Sequence, residues 1–237
     1  MKLEICANSF ASALAAQNGG AHRVELCENL NEGGTTPSYG TIKKVREQLH
    51  IQVYVLIRPR AGDFNYTDEE FEIMKADILN CKQLGCDGVV IGLLDEEGNV
   101  ASIRTKELVK LASPMGVTFH RAFDCCNDGL KALKTIIYCG CERILTSGMQ
   151  NTAIDGANFL KELVDKAGDN IIIMPGSGVN ENNIQELIEK TNAKEYHTSA
   201  KVPVASTMNY QNPAIRNMGG MIEVSSEEKI RKITALL

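Results

Sequence analysis

The stretch Ile171-Ile172-Ile173-Met174-Pro175-Gly176-Ser177-Gly178 decides the fold of this 237-residue chain. Its four consecutive apolar residues predict a strand that is buried on both faces, as the strands of parallel sheets are. The Pro-Gly-Ser-Gly sequence that follows predicts a tight turn. Comparable apolar runs recur along the chain, so we predict eight strands, at residues 2–6, 23–26, 52–57, 88–91, 117–120, 143–145, 171–174 and 194–197.

Helical segments lie between these strands. Polar residues that favour helix N-caps precede several of them, and glycines follow some of their ends. The clearest predicted helices cover residues 10–17 after Ser9, 39–49 after Ser38, 68–84 after Thr67, and 184–190 after Asn180. Successive strands therefore begin roughly 20 to 40 residues apart, which is the length of one βα unit.

Eight such units predict an α/β fold of the (β/α)8 TIM-barrel type. The main alternative is an open Rossmann-like sheet, whose dinucleotide-binding form carries GxGxxG after its first strand. The sequence Cys6-Ala7-Asn8-Ser9 lacks that motif. No linker or change in composition divides the chain, so we expect one domain over residues 1–237. Within it, we predict an irregular stretch at 201–226 and a closing helix at 227–237.

Charge and composition exclude several classes of protein. The net charge is −5 and the basic residues are dispersed, so we expect no nucleic-acid or membrane partner. The first residues lack the apolar core of a signal peptide, which predicts a cytoplasmic protein. In that compartment the eight cysteines are expected to be reduced thiols, and Cys81, Cys86, Cys139 and Cys141 to be packing residues.

Polar side chains are concentrated at the predicted strand ends, where TIM barrels carry their functional sites. Because side chains alternate along a strand, we predict that Glu25, Arg58, His120 and His197 point into the barrel from four strands. One interpretation is an internal salt-bridge layer. The other is a functional site in which Glu25 or His120 transfers protons and Arg58 holds an anion.

Two further sectors of the mouth have their own chemistry. The loops carrying Ser177-Gly178 and Ser199 follow strands seven and eight, where TIM barrels often bind phosphate. Cys6 and Cys27 stand at the ends of the first and second strands, so their sulfurs are expected to lie near each other. Thiolates favour Cu(I), although buried cysteines also serve as simple packing residues.

Several motifs resemble the CutC family of copper homeostasis proteins. The resemblance extends from residue 2 to about 200. It is carried by Val24-Glu25-Leu26-Cys27, Glu32-Gly33-Gly34-Thr35-Thr36-Pro37-Ser38, Ile57-Arg58-Pro59-Arg60 with Gly62-Asp63-Phe64, Met74-Lys75-Ala76-Asp77-Ile78, Thr118-Phe119-His120-Arg121-Ala122-Phe123-Asp124, Ile144-Leu145-Thr146-Ser147-Gly148 and Met174-Pro175-Gly176-Ser177-Gly178.

This resemblance implies a cytoplasmic TIM barrel that forms a homo-oligomer, a dimer or tetramer, and handles copper. Cys6 and Cys27 match the family's candidate copper ligands. Its polar mouth is matched by Glu25, Arg58, His120, Arg121 and Asp124. Two positions depart from the pattern: Ala61 replaces a usual glycine, and Leu56 replaces a frequent methionine that would offer a further soft ligand.

Two functional hypotheses follow, besides a bare interaction scaffold. In the first, the chain binds Cu(I) through Cys6 and Cys27. In the second, it is an enzyme that acts by acid–base chemistry on a small phosphorylated or carboxylated substrate. The catalytic candidates are then Glu25, His120 and Asp124, and the anion-binding candidates are Arg58, Arg60, Arg121, Ser177, Gly178, His197 and Ser199.

Overall fold

The computed structural model describes residues 1–215 and 220–237 and contains a nearly closed barrel of eight parallel strands. Hydrogen-bonded neighbours follow the order β7-β6-β5-β4-β3-β2-β1-β8, and β7 packs beside β8. The TIM-barrel prediction is therefore confirmed. The strands are β1 (Lys2–Ala7), β2 (Arg23–Leu26), β3 (Gln52–Leu56), β4 (Gly88–Ile91), β5 (Gly116–Phe119), β6 (Arg143–Thr146), β7 (Ile172–Pro175) and β8 (Glu195–Thr198).

A helix follows each of the first seven strands and covers the outside of the barrel. The side chains of Ser9 and Ser38 accept the expected N-cap hydrogen bonds, and Thr67 forms a capping box with Glu70. The residue at the N-cap of the seventh helix is Asn183 and not Asn180. The helices are α1 (Phe10–Asn18), α2 (Tyr39–Gln48), α3 (Asp68–Gln83), α4 (Ser102–Ala112), α5 (Gly129–Cys139), α6 (Ala157–Ala167) and α7 (Ile184–Thr191).

The C-terminal region differs from its prediction. The stretch 201–226 was predicted to be irregular; its residues 216–219 lie outside the described part, and the rest contains an antiparallel pair, β9 (Lys201–Val204) and β10 (Ile222–Ser225). The closing helix, α8 (Glu227–Thr234), ends three residues before the predicted end and packs on α1. Its buried residues Ile230 and Ile233 face the barrel body, which anchors this helix beside the first βα unit.

The barrel interior contains a buried layer of ion pairs. The Arg23 guanidinium pairs with Glu4 and lies 2.7 Å from Glu195 Oε2, and Arg143 Nε lies 2.6 Å from the same oxygen. All four side chains are almost inaccessible to solvent. Because buried charges need partners, this layer fixes the orientation of the strand faces beneath the mouth.

The described helices leave no candidate for a membrane span, since none combines sufficient length with sufficient apolar character.

Candidate functional site

A cavity of about 580 Å³ opens at the carboxyl ends of the barrel strands. It brings together ten of the twelve residues that the sequence singles out. Cys27 and Arg60 are the exceptions, because neither lines the cavity. The ten residues are Cys6, Glu25, Arg58, His120, Arg121, Asp124, Ser177, Gly178, His197 and Ser199.

Cys6 and Cys27 form a buried thiol pair at the floor of this cavity. Their sulfur atoms are 3.5 Å apart. The two thiols meet because β1 and β2 are hydrogen-bonded neighbours and both side chains point toward the barrel interior. Cys6 reaches the cavity, whereas Cys27 lies behind it and is fully buried. Hydrogen bonding with Cys27, burial and the nearby Glu25 carboxylate raise the pKa of Cys6 well above its ordinary value.

Cys6, Glu25 and His197 form a cluster whose potential ligand atoms lie within 4.8 Å of one another. Nε2 of His197 is 3.6 Å from Glu25 Oε2, and its Nδ1 is 2.8 Å from Glu4 Oε1. Burial raises the pKa of Glu25. Burial also favours the neutral form of His197, but the carboxylates of Glu25 and Glu4 outweigh it and raise the pKa of His197.

His120 is held as a neutral imidazole on another wall of the cavity. Its Nδ1 accepts a hydrogen bond from the Ala122 N–H at 3.0 Å, so Nε2 carries the ring hydrogen. Burial and the neighbouring Arg58 charge lower the pKa of His120 to about 3. Nε2 finds no hydrogen-bond partner in the described part of the chain. This imidazole is therefore suited to donating a hydrogen bond.

Arg58 fixes the loops around the mouth. Its Nη1 donates to the carbonyls of Glu32 and Gly34, at 2.8 and 2.6 Å, and its Nη2 donates to the Gly62 carbonyl at 2.8 Å. The guanidinium also lies over the Phe64 ring, 5.1 Å from its centroid. The three hydrogen bonds of the guanidinium therefore all go to neutral carbonyls. Its Nε has no partner among the described residues.

Asp124 and Arg121 tie the end of β5 to the loop after β6. Asp124 accepts hydrogen bonds from the Thr146 hydroxyl, from the N–H and hydroxyl of Ser147, and from the Met149 N–H. Arg121 Nε lies 2.7 Å from Asp124 Oδ2. Since these donors occupy its carboxylate, Asp124 is placed to orient the loop, and its predicted catalytic role stays a prediction.

The loops after β7 and β8 form the next sector. Ser177 and Gly178 both have positive φ angles, 76° and 74°, and the Ser177 hydroxyl donates to the Asn151 carbonyl at 2.8 Å. The N–H groups of Gly178 and Ser199 donate to no acceptor within residues 1–215 and 220–237. These two groups are therefore free to bind a ligand in the cavity.

Arg60 points away from this cavity. Its guanidinium pairs with Asp63 at 2.9 Å and with Glu70 at 2.6 Å, which joins the loop after β3 to the first turn of α3. The predicted anion-binding role of Arg60 gains no support from this position. The sequence interpretation also missed two cavity-lining lysines, Lys201 and Lys229, which come from the C-terminal region.

The chain is similar in sequence to a family of known proteins. The model of the CutC family matches residues 1–202. A family protein CutC from Xanthomonas campestris pv. campestris is 48% identical over the whole chain and 99% of its own length. A mouse protein named copper homeostasis protein cutC homolog is 42% identical over 99% of this chain and 88% of its own length.

A solved structure agrees with these sequence relatives. The structure of CutC from Streptococcus agalactiae superimposes with a TM-score of 0.80 at 36% identity, covering 84% of this chain and 98% of that one. Both the sequence and the barrel geometry therefore lead to one assignment. The chain belongs to the CutC family.

Proposed function

We propose that this chain binds Cu(I) at the floor of the cavity, through Cys6 and Cys27, as part of copper homeostasis. The observation that carries the proposal is the 3.5 Å separation of the two sulfur atoms beside the Glu25 carboxylate and the His197 imidazole. Soft thiolates select Cu(I), and imidazole is a further suitable copper ligand. The name of the mouse relative, copper homeostasis protein cutC homolog, agrees with this cargo.

The position of each sulfur suggests an order of binding. Cys6 lines the cavity and meets the incoming ion first, while Cys27 completes the pair from behind. His197 Nε2 is the third candidate ligand, and its other nitrogen is oriented by Glu4. A carboxylate that holds the second nitrogen of a metal-binding histidine in this way fixes the ring for coordination.

Copper must displace protons at this site. The raised pKa of Cys6 keeps its thiol protonated near neutral pH, and the raised pKa of His197 favours the imidazolium. Metal ligands have to be deprotonated, so Cu(I) binding releases protons. The Glu25 carboxylate, 3.6 Å from His197 Nε2, is positioned to accept one of them.

A competition titration against a chromophoric Cu(I) chelator, under anaerobic and reducing conditions, tests the proposal. We expect the wild-type chain to bind one Cu(I), and the double variant Cys6→Ser with Cys27→Ser to lose this binding. A matched control replaces Cys81 and Cys86, also a buried pair, which precedes β4 at the opposite end of the barrel. Wild-type affinity in the Cys6/Cys27 variant would show that the site is elsewhere.

A further inference from the structure

One wall of the cavity contains two buried N–H groups without acceptors. These are Nε of Arg58 and Nε2 of His120, and both residues are only 5% exposed. The Phe64 ring joins the two residues, since it lies 5.1 Å from each. The Tyr66 hydroxyl, also buried and without a satisfactory partner, lies beside Arg58, whereas no acceptor is found for Nε2 of His120 among the described residues. A buried donor without an acceptor is costly, so this wall is incomplete without a further acceptor.

The charge of Arg58 strengthens this conclusion. Three of its N–H groups donate to neutral carbonyls, and no carboxylate pairs with it in the part of the chain that the structure describes. A buried guanidinium ordinarily has an anionic partner. An oxygen acceptor that carries negative charge, such as a carboxylate, would satisfy both Arg58 and the neutral His120.

A second incomplete sector lies at the loops after β7 and β8. The N–H groups of Gly178 and Ser199 donate to no acceptor among the described residues. Lys229, from the first turn of α8, lines the same cavity, and its ammonium forms no ion pair within the described residues. Free backbone N–H groups combined with a lysine ammonium are typical of phosphate sites.

Other cations of the cavity wall are already neutralised. Arg121 pairs with Asp124, and Lys201 Nζ lies 2.7 Å from Glu223 Oε2. Arg58 and Lys229 are left without carboxylate partners in the described ranges. Arg58 follows β3, and Lys229 belongs to α8 and lines the cavity together with Gly178 and Ser199. Two separate positive sectors suit a ligand with two acceptor groups.

We propose that the cavity binds a small phosphate monoester that carries a carboxylate or carbonyl group at its other end. The phosphate lies against Gly178, Ser199 and Lys229. The second acceptor receives hydrogen bonds from the His120–Arg58 wall. This ligand occupies a different sector from the Cys6–Cys27 thiols, so the proposal does not depend on copper binding.

Isothermal titration calorimetry with 2-phosphoglycolate tests the proposal, because this probe has both a phosphate and a carboxylate. Inorganic phosphate and glycolate serve as one-ended probes, in metal-free and phosphate-free buffer. We expect 2-phosphoglycolate to bind at least about tenfold more tightly than either, since each end adds charge-assisted hydrogen bonds. Equal affinities for 2-phosphoglycolate and inorganic phosphate, or no binding of any probe, would overturn it.

Two variants assign the ends of the ligand. Lys229→Ala should weaken the binding of both 2-phosphoglycolate and inorganic phosphate about tenfold. The control Lys232→Ala changes an exposed residue three positions further along α8 and should not affect the binding of either probe. His120→Asn keeps an acceptor for the Ala122 N–H and removes Nε2. This variant should weaken the binding of 2-phosphoglycolate about tenfold and leave the affinity for inorganic phosphate unchanged.

The variants also separate this proposal from the copper proposal. The Cys6→Ser, Cys27→Ser chain should bind 2-phosphoglycolate normally, and Lys229→Ala should bind Cu(I) normally. Unchanged 2-phosphoglycolate affinity in both Lys229→Ala and His120→Asn would overturn the assignment of the ligand to these two sectors. Thermal unfolding followed by circular dichroism establishes that each variant is folded before titration.

Discussion

His197 Nδ1 lies 2.8 Å from Oε1 of Glu4, on the neighbouring strand of the barrel. Glu4 also pairs with Arg23, so the contact links the cavity to the buried ion-pair layer beneath it. Burial raises the pKa of Glu4, but the Arg23 charge, the hydrogen bond and charge of His197 and the Arg143 charge together outweigh burial, so the pKa of Glu4 is lowered. The ionised Glu4 in turn holds the imidazole with its Nδ1–H toward β1.

This contact predicts a pH-dependent contribution of His197 to stability. The pKa of His197 is raised in the folded protein above its ordinary value of 6.5. Protonation therefore stabilises the fold fully below about pH 6.5, and this contribution is lost as the pH rises through the folded pKa. Urea unfolding of wild type and His197→Asn should give a stability difference that shrinks with increasing pH. A difference that is independent of pH would contradict the contact.

The lowered pKa of His120 predicts the opposite dependence of stability on pH. Its pKa is lowered to about 3 by burial and by Arg58, so the folded state resists protonation while the unfolded chain does not. The stabilisation is present above the unfolded pKa and is lost as the pH falls. Between about pH 7.5 and about pH 4.5 the free energy of unfolding of wild type should fall by about 3 kcal/mol more than that of His120→Asn. Parallel pH profiles of unfolding free energy would show that His120 does not titrate in this way.

The buried ion-pair layer should be sensitive to removal of a single carboxylate. Glu195 Oε2 accepts from both Arg23 and Arg143, so Glu195→Gln leaves two buried guanidinium groups short of a partner. We expect a loss of about 3–5 kcal/mol in the free energy of unfolding. Glu186→Gln breaks an exposed pair with Lys190 and should cost less than about 1 kcal/mol. Similar losses in both variants would contradict a special role for the buried layer.

Cu(I) affinity should increase with pH. The Cys6 thiol is protonated near neutral pH because its pKa is raised, so each bound ion must release at least one proton. Between about pH 6 and pH 8 the apparent Kd should fall about tenfold per pH unit for each proton released. The measurement is the chelator competition, corrected for the chelator's own titration. A constant Kd would mean that the ligands are already deprotonated before copper binds.

The sequence allowed the barrel and most of the cavity wall to be predicted, because strand periodicity is a local property. Alternation placed Glu25 and His197 on the inner face, and the structure has both there. Strand ends differed by one residue in most cases, as at β1, which includes Ala7. Such shifts at the ends of elements do not change which face a side chain occupies.

Long-range pairing leaves no signal in local sequence periodicity. β9 and β10 pair across a long connection with no two-residue turn signal, and Pro203 made the run 201–204 a poor strand candidate. Lys229 was missed for the same reason, since only the docking of α8 beside α1 brings it to the cavity. Arg143 was missed although alternation with Leu145 signals its inward face.

Leu56 offers a test of the copper site by gain of a ligand, since the family resemblance implies methionine at this position. The side chain lies in the same apolar cluster as Cys6 and Cys27 and lines the cavity. Leu56→Met preserves the volume, so it should change the unfolding free energy by less than about 1.5 kcal/mol. Its thioether is a soft ligand beside the two thiols, and we expect the Kd for Cu(I) to fall about tenfold.

The matched control for this variant is Leu145→Met, which places a thioether on the cavity wall at β6, outside the cluster that contains the thiols. Chelator competition should show no change in Cu(I) affinity for this control. Equal tightening in both variants would mean that copper binds anywhere in the cavity that a thioether reaches. A gain confined to Leu56→Met, and abolished when Cys6→Ser is added, would instead place the ion between the thiol pair and β3.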